Sequence, residues 1–538
     1  MTSEIENTTE RDTARAATKA YLVGGGIASL AAAVYLIRDG GLTGSNITIM
    51  EELNSLAGSL DASGSAKYGY VLRGGRMLER KYLCTFDLFA TIPTLDKSKS
   101  VTEEIFDWNE KIETCSYSRL VKEAKAINKP TFDLDEKQIL TLARLMIEPE
   151  WALANATIEE QFSQDFFNTN FWLMWCTTFA FQPWHSAIEF KRYLQRFTHL
   201  VHGFNQLHGI MRTVYNQFDS MVRPLHTWLI EQGVNFGMNA TVIDLKFGRS
   251  ESQGGTVTNI IYKQEGEQKE IALAPRDLVI VTLGSMTDGS SQGGNDTSTP
   301  SSGAGGHGAW TLWQTIADGR AEFGRPDVFA NHIDESKWIS ATTTLQDPAF
   351  FDFVQRFTGN KPGEGGLITL ADSNWLLSFV LPCQPHFIDQ PDNINVFWSY
   401  GLSVDKPGNF IKKTMQDCTG REIFAELMGH LGMDNEEIEI ILNQSITIPT
   451  YMPFVTSQFL RRQSGDRPQI IPDGWGNLGL IGQFCEQADD VVFTVEYSVR
   501  SAATAVYKLL GLDREPPAVY KGLYDPRIVI EAIQTLHS

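Results

Sequence analysis

The chain has 538 residues, with 45 Lys and Arg against 65 Asp and Glu and a formal net charge of −20. At about 150 residues per domain, this length exceeds one simple core and predicts three to four units. The 42% hydrophobic content becomes about 47% when Gly is counted in place of Tyr, an ordinary globular value that excludes disorder as the main state. The acidic balance repels phosphate backbones and anionic bilayers, which argues against a nucleic-acid partner and offers a membrane no electrostatic attraction.

The chain begins with a polar, charged segment at 1–18 that lacks a secretory signal's basic start and apolar run, and it reads as a disordered tail. A buried strand (AYLV), a glycine turn (GGGIAS) and a helix ended by glycines (LAAAVYLIRDGG) follow from Ala20, and then a second strand, NITIMEE. Strand, turn, helix and strand in about 33 residues open a doubly wound sheet. Helical signals dominate from about 100 to 230, with their most apolar run at 171–181. That run has about 11 residues, short of the roughly 20 a membrane span requires.

Strand patterning returns at 234–283, where the sheet is expected to resume. The Gly/Ser/Thr/Asn-rich run at 285–308 reads as a mobile loop, and 309–450, with LITLA and NVFWSY, reads as a second domain. NLGLIGQFC and the Ala-rich helix at 494–510 bring the chain back to its first domain. The fold expectation is α/β. A discontinuous Rossmann-like dinucleotide domain (19–110, 205–308 and 455–510) carries a helical insertion (111–204), a mixed α+β substrate domain (309–454) and a C-terminal helical segment (511–538). Six widely spaced cysteines without a C-x-x-C pair suggest neither a zinc site nor a disulfide framework, so reduced thiols, no metal and a cytoplasmic location are expected.

Gly24-Gly25-Gly26-Ile27-Ala28-Ser29 gives G-x-G-x-x-S between strand and helix. Gly24 permits the tight turn, Gly26 leaves room for a pyrophosphate at the helix N-terminus, and Ala28 and Ser29 are small enough for helix and strand to pack closely. Glu51 closes the second strand about 25 residues after Gly26, where an acid binds a ribose hydroxyl. FAD is preferred over NAD because Gly482-Gln483-Phe484, followed by a helix, returns a second helix N-terminus to the site. A ligand-free glycine turn is the bland alternative.

Longer strings then carry a specific resemblance: GSLD at 58–61, RGGRM at 73–77 with YLC at 82–84, NFWLMWCTTFAFQPWHSAIEFKRY at 170–193, YNQFDS at 215–220, GSMTDGSS at 284–291 and QPHF at 384–387. With these the chain resembles, over nearly its whole length, the oleate hydratases, FAD-dependent fatty-acid hydratases also called myosin-cross-reactive antigens. Its divergent substitutions suggest a monomeric, actinobacterial-type branch. The resemblance implies addition of water across the cis-9 double bond of oleic acid to give 10-hydroxystearic acid, with the flavin used without net redox change.

It further implies that Ser59, Arg73, Gly74, Gly75, Arg76, Ser285, Met286 and Thr287 lie at the flavin, with Gln483 and Phe484 beside them. Arg76 also belongs to the active site. Tyr193 becomes the acid that protonates the alkene, with Tyr215 as runner-up; simple packing under the helical layer is the alternative for both. The family's water-activating glutamate, directly after RGGR, falls at Met77, whose thioether cannot accept a proton. Glu79, a backbone carbonyl near Gly75, or reduced activity are the remaining explanations. The second is favoured, and Glu79 is read as a solvated carboxylate.

The family's carboxylate-binding Thr-x-Asn-x-x-x-His survives here only as His386, with Val380 and Pro382 at the other positions. Trp184 is read as tunnel lining; a structural histidine and core packing are the ordinary alternatives for His386 and Trp184. The partner is therefore a long-chain unsaturated fatty acid, with peripheral membrane contact through it. A flavin-dependent fatty-acid or amine oxidoreductase and an inactive lipid- or flavin-binding homologue stay open beside the hydratase reading, because the dinucleotide turn does not separate them.

Overall fold

The computed structural model describes residues 17–250, 254–300 and 308–537. The tail expected at 1–18 thus lies, but for two residues, outside the described part. At the centre of a five-stranded parallel sheet is Ala20–Val23, flanked by Leu278–Thr282 and Ile47–Met50, with Leu478–Ile481 and Asn235–Gly237 at the edges. The three inner strands, AYLV, ITIM and LVIVT, are almost wholly apolar and largely buried, the pattern of a sheet covered on both faces.

The opening helix, Ile27–Arg38, is buried from Ile27 to Leu36. Its alanines let the closing helix, Val495–Leu509, pack in the same apolar core. Ser29 locks helix to sheet through its hydroxyl, 3.0 Å from that of Thr282.

The sheet does not resume through the whole of 234–283. Ala240–Ser250, Gly254–Gln264 and Glu267–Ala272 form a separate antiparallel meander, because short polar turns favour hairpins over the long crossovers that parallel pairing needs. A third sheet has eight strands in the order Ser291–Gln292, Ser445–Met452, Trp338–Leu345, Asn395–Gly401, Ser378–Val380, Ile368–Leu370, Ser118–Lys122 and Lys125–Asn128. The last two come from the segment read as a helical insertion, which therefore also completes this sheet. Among the described residues no helix is long and apolar enough to cross a membrane.

The described part of the polar run at 285–308 is not a free loop. Ser291–Gln292 pairs with Thr450 and Tyr451, and Ser298 bridges Thr419. Small residues allow this close approach: a Cβ on Gly293 would come within 2.7 Å of the Thr297 carbonyl oxygen.

The aromatic run becomes the helix Asn170–Phe179, and KRY lies on the helix Ala187–Arg196. Asn170–Phe179 packs on the eight-stranded sheet through Ile368–Leu370 and Ser118–Lys122, and Ala187–Arg196 shares its aromatic core.

Candidate functional site

A cavity of about 350 Å³ opens at the C-terminal ends of the parallel strands, where open α/β sheets bind ligands. Gly24, Gly25, Gly26 and Ala28 border it, as do Glu51, Ser59, Arg73, Arg76, Ser285, Met286, Thr287, Gln483 and Phe484. Each glycine of the turn has its own reason. Gly24 has φ +95°, which side-chain-bearing residues rarely adopt, and a Cβ on Gly25 would come within 2.6 Å of Leu56 and 2.8 Å of the Glu51 carboxylate. At Gly26 a Cβ would meet nothing within 4 Å.

Gly26 is the N-cap of the opening helix and supplies no side-chain cap, and the first turn holds no acid. The free N–H groups and the positive end of the helix dipole therefore face open space of the kind a pyrophosphate fills.

Glu51 is committed to the turn: its carboxylate accepts the Gly25 N–H at 2.5 Å and the Leu53 N–H at 2.8 Å. Burial nonetheless raises its pKa above the ordinary value. Ser29 sits behind the turn on Thr282 instead of bordering the cavity. The larger cavity thus has the glycine cradle and the anion-seeking helix end that suit a dinucleotide's pyrophosphate.

RGGR runs across the face of Trp398: a Cβ on Gly74 or Gly75 would come within 3.3 or 3.7 Å of that ring. Gly74 is buried, Arg73 and Arg76 are half-buried, and Gly75 is exposed. Arg73 lies 3.6 Å from Asp61, and burial lowers its pKa. Arg76 has no carboxylate within ion-pair reach among the described residues. Its guanidinium stands 5.2 Å from the centre of the Phe493 ring and reaches the Ser59 carbonyl at 3.4 Å. Burial takes its pKa down to about 10, which still leaves it charged at neutral pH. Arg76 borders both this cavity and a smaller one beyond.

The inner cavity, about 80 Å³, is walled by Gly75, Met77, Phe179, Tyr193, Phe197, Trp338, Trp398 and Tyr400, among others. Phe493, Thr494 and Val495, at the start of the closing helix, border both spaces. Tyr193 is 1% exposed and donates to the Val492 carbonyl at 2.6 Å. The rings of Phe179, Phe181, Phe197 and Phe459 surround it with centroids 4.9 to 5.6 Å away. Burial, chiefly, holds its phenol well above the usual value, while the charge of Arg76 acts in the opposite direction.

Neighbours of Tyr193 in sequence point elsewhere. Lys191 donates to the Leu145 and Met146 carbonyls, and Arg192 pairs with Glu150 and Glu486.

Glu79 corrects the sequence reading. It is 2% exposed, pairs with Arg196 at 2.9 Å and His199 at 3.4 Å, and accepts the Lys81 N–H at 2.7 Å. It is a buried counter-ion, because the short strand Leu78–Glu79 pairs with Ile210–Met211 and is drawn inside. Trp184, Tyr215 and His386 border neither cavity. The Trp184 indole donates to the Glu335 carbonyl at 2.8 Å, the Tyr215 N–H binds the Ser220 hydroxyl, and the His386 carbonyl receives both Asn216 donors.

Sequence reasoning missed Asp61, Tyr82, Thr282, Trp398 and the Phe493-Thr494-Val495 junction. Asp61 and Tyr82 stood inside quoted strings, GSLD and YLC, and Thr494 carried a helix N-cap signal. Nothing local marked Trp398, which a distant strand delivers.

The fold is that of a Rossmann-like α/β protein, with a cavity at its glycine turn and an aromatic chamber at the inner end. The MCRA family model matches residues 17–507, and the chain belongs to that family. It is 39% identical over 531 residues to the oleate hydratase of Streptococcus pyogenes serotype M49, covering 96% of this chain and 89% of that one. It is 34% identical over 537 residues to the linoleate hydratase of Lactiplantibacillus plantarum, covering 92% and 94%. Among solved structures, the cyclohexylamine oxidase of Brevibacterium oxydans shares the fold with a TM-score of 0.52 at 10% identity, covering 92% of this chain and all of that one.

Proposed function

We propose that the protein is a hydro-lyase that adds water to the cis-9 double bond of oleic acid and similar acids, giving the 10-hydroxy acid, with FAD bound in the larger cavity. The observation that carries this reading is the junction at Arg76, where a glycine-turn cradle meets an aromatic chamber bordered by the deeply buried Tyr193, together with Tyr82 and Tyr400. Gly24, Gly26, Ala28 and the loop Ser285, Met286 and Thr287 hold the cofactor's polar half, with Ser29 supporting from behind. Arg73, Arg76, Gln483 and Phe484, which line the same cavity, would complete its site. The bound flavin supplies a rigid wall and charge beside the alkene, without net electron transfer.

An isolated alkene is a weak base, so its protonation needs a strictly positioned acid and a stabilised cation. Tyr193 gives its phenolic proton to C9, exchanging the Val492 carbonyl for the alkene as its partner. Arg76, charged and unpaired, stabilises the phenolate left behind, and the faces of Phe179, Phe197 and Trp398 stabilise the positive charge at C10. Water captures C10. A chamber of about 80 Å³ holds the reacting segment and a water but not an 18-carbon acid, so the rest of the chain must thread between the walls. The protein acts as a monomer in the cytoplasm, with contact to membranes only through its substrate.

Tyr193→Phe tests this directly. Product from oleate, followed by mass spectrometry, should fall by about 10²–10⁴-fold while flavin binding persists. Full turnover in this variant would remove Tyr193 as the acid.

A further inference from the structure

Hydration needs a second group, one that holds the water and takes up the proton it sheds, and Met77 has neither capacity. The polar side chains around the inner cavity are nearly all committed. Tyr193 is the acid, and the Tyr400 hydroxyl donates to the Thr177 carbonyl. Thr178 donates to the Met174 carbonyl and accepts from Arg119, and Thr177 donates to the Leu173 carbonyl. Thr494 donates to the Val491 carbonyl and caps the closing helix.

Glu79 is held by Arg196 and His199, and the indoles of Trp338 and Trp398 can only donate. Tyr82 is the exception: it borders the chamber, it is 5% exposed, and its hydroxyl has no hydrogen-bond partner among the described residues. The Arg196 guanidinium lies 5.6 Å from the centre of its ring.

We infer that Tyr82 is a further catalytic residue, whose phenol orients the attacking water and returns the released proton to Tyr193. This rests on the hydratase reading above. The proton count closes. Tyr193 loses its proton to C9, and water adds to C10 as an oxonium. The oxonium then passes a proton to the Tyr82 oxygen while the Tyr82 proton moves to the Tyr193 phenolate. Both phenols end neutral, and no outside acid, base or electron carrier is consumed. The carbonyl of Gly75, the other acceptor at hand, can orient water but cannot relay a proton. Tyr82 and Tyr193 border the same chamber, as a relay between them requires.

The experiment compares wild type, Tyr82→Phe and Tyr82→Phe/Met77→Glu as flavin-loaded proteins, with oleate as substrate and the bound-flavin spectrum as the check of folding. Wild-type formation of the hydroxy acid is measured first, so absence of any hydration counts against the proposed function and not against Tyr82. The expected result is a fall in kcat of at least tenfold in Tyr82→Phe with KM for oleate within twofold, and recovery of kcat when glutamate replaces Met77. A kcat within twofold of wild type in Tyr82→Phe would overturn the assignment. So would a loss that Met77→Glu leaves unrepaired in a protein that still binds flavin.

Discussion

Replacing Gly26 with alanine separates the cofactor's need from the fold's need at the turn. Gly26 has φ −79° and ψ 175°, an extended conformation open to any residue. Its added methyl would meet no protein atom within 4 Å. Flavin-free stability should therefore change by no more than about 0.5 kcal/mol, the usual range for a substitution that touches nothing. The same methyl enters the space where a pyrophosphate approaches the helix N-terminus. Losing even one good contact there costs about 1.4 kcal/mol, a tenfold weaker affinity.

Gly24→Ala should behave in the opposite way. At φ +95°, with Thr282 Cβ 3.3 Å from the new methyl, backbone strain of about 1–3 kcal/mol falls on the protein itself. Flavin fluorescence titration and urea unfolding of the flavin-free protein measure the two effects separately. Unchanged flavin affinity in Gly26→Ala would refute the reasoning that this glycine is kept for the ligand.

Glu79→Gln breaks a pair with Arg196 whose side chains are 2% and 1% exposed, and should cost about 3–5 kcal/mol in urea unfolding at pH 7. Burial pushes the Glu79 pKa up, but the bond from His199 and the charge of Arg196 outweigh it and leave it below 4.5. Its contribution is thus complete above about pH 4.5 and lost as pH falls through the lower folded value, so Glu79→Gln should flatten the acid limb of the stability curve; a limb parallel to wild type would contradict this. His185 is held at about 3 by burial, with Nδ1 accepting the Gln182 N–H. Kept neutral when folded, it should make stability fall by about 1.4 kcal/mol per unit as pH drops below about 6.5. His185→Gln should remove that slope between pH 6 and 4, and an unaltered slope would count against a buried neutral imidazole.

What the sequence made legible were features whose cause is local. The glycine turn, its flanking strand and helix, and the closing helix from Thr494 each follow from nearest-neighbour chemistry; the strand and the closing helix lie within a residue of their expected bounds, while the opening helix starts at Ile27, three residues before the expected Leu30. The position of the two strands at 118–128 was not legible, because their partner Ile368–Leu370 lies some 250 residues away. Glu79 misled for a similar reason. A carboxylate followed by Arg80 and Lys81 reads as solvated until Arg196, from a helix distant in sequence, is placed beside it.

His386 was expected at the substrate from the resemblance, and Trp184 as tunnel lining from the aromatic run that precedes it. Here the His386 backbone fastens Asn216, and Trp184 fastens the 335 region, both outside the chambers. Tyr82 went unassigned because its significance is an unfilled hydrogen bond, and a sequence does not display hydrogen bonds.

The central claim is that water, not molecular oxygen or a hydride carrier, reacts with the alkene while the flavin transfers no net electrons. Incubating flavin-loaded protein with oleate anaerobically in heavy-oxygen water tests it most directly. The account predicts a 10-hydroxy acid carrying the solvent's heavy oxygen, in an amount far exceeding the flavin present and with no external reductant consumed. Product formed only with oxygen or NADH, in proportion to their consumption, or unchanged turnover after complete flavin removal, would contradict it.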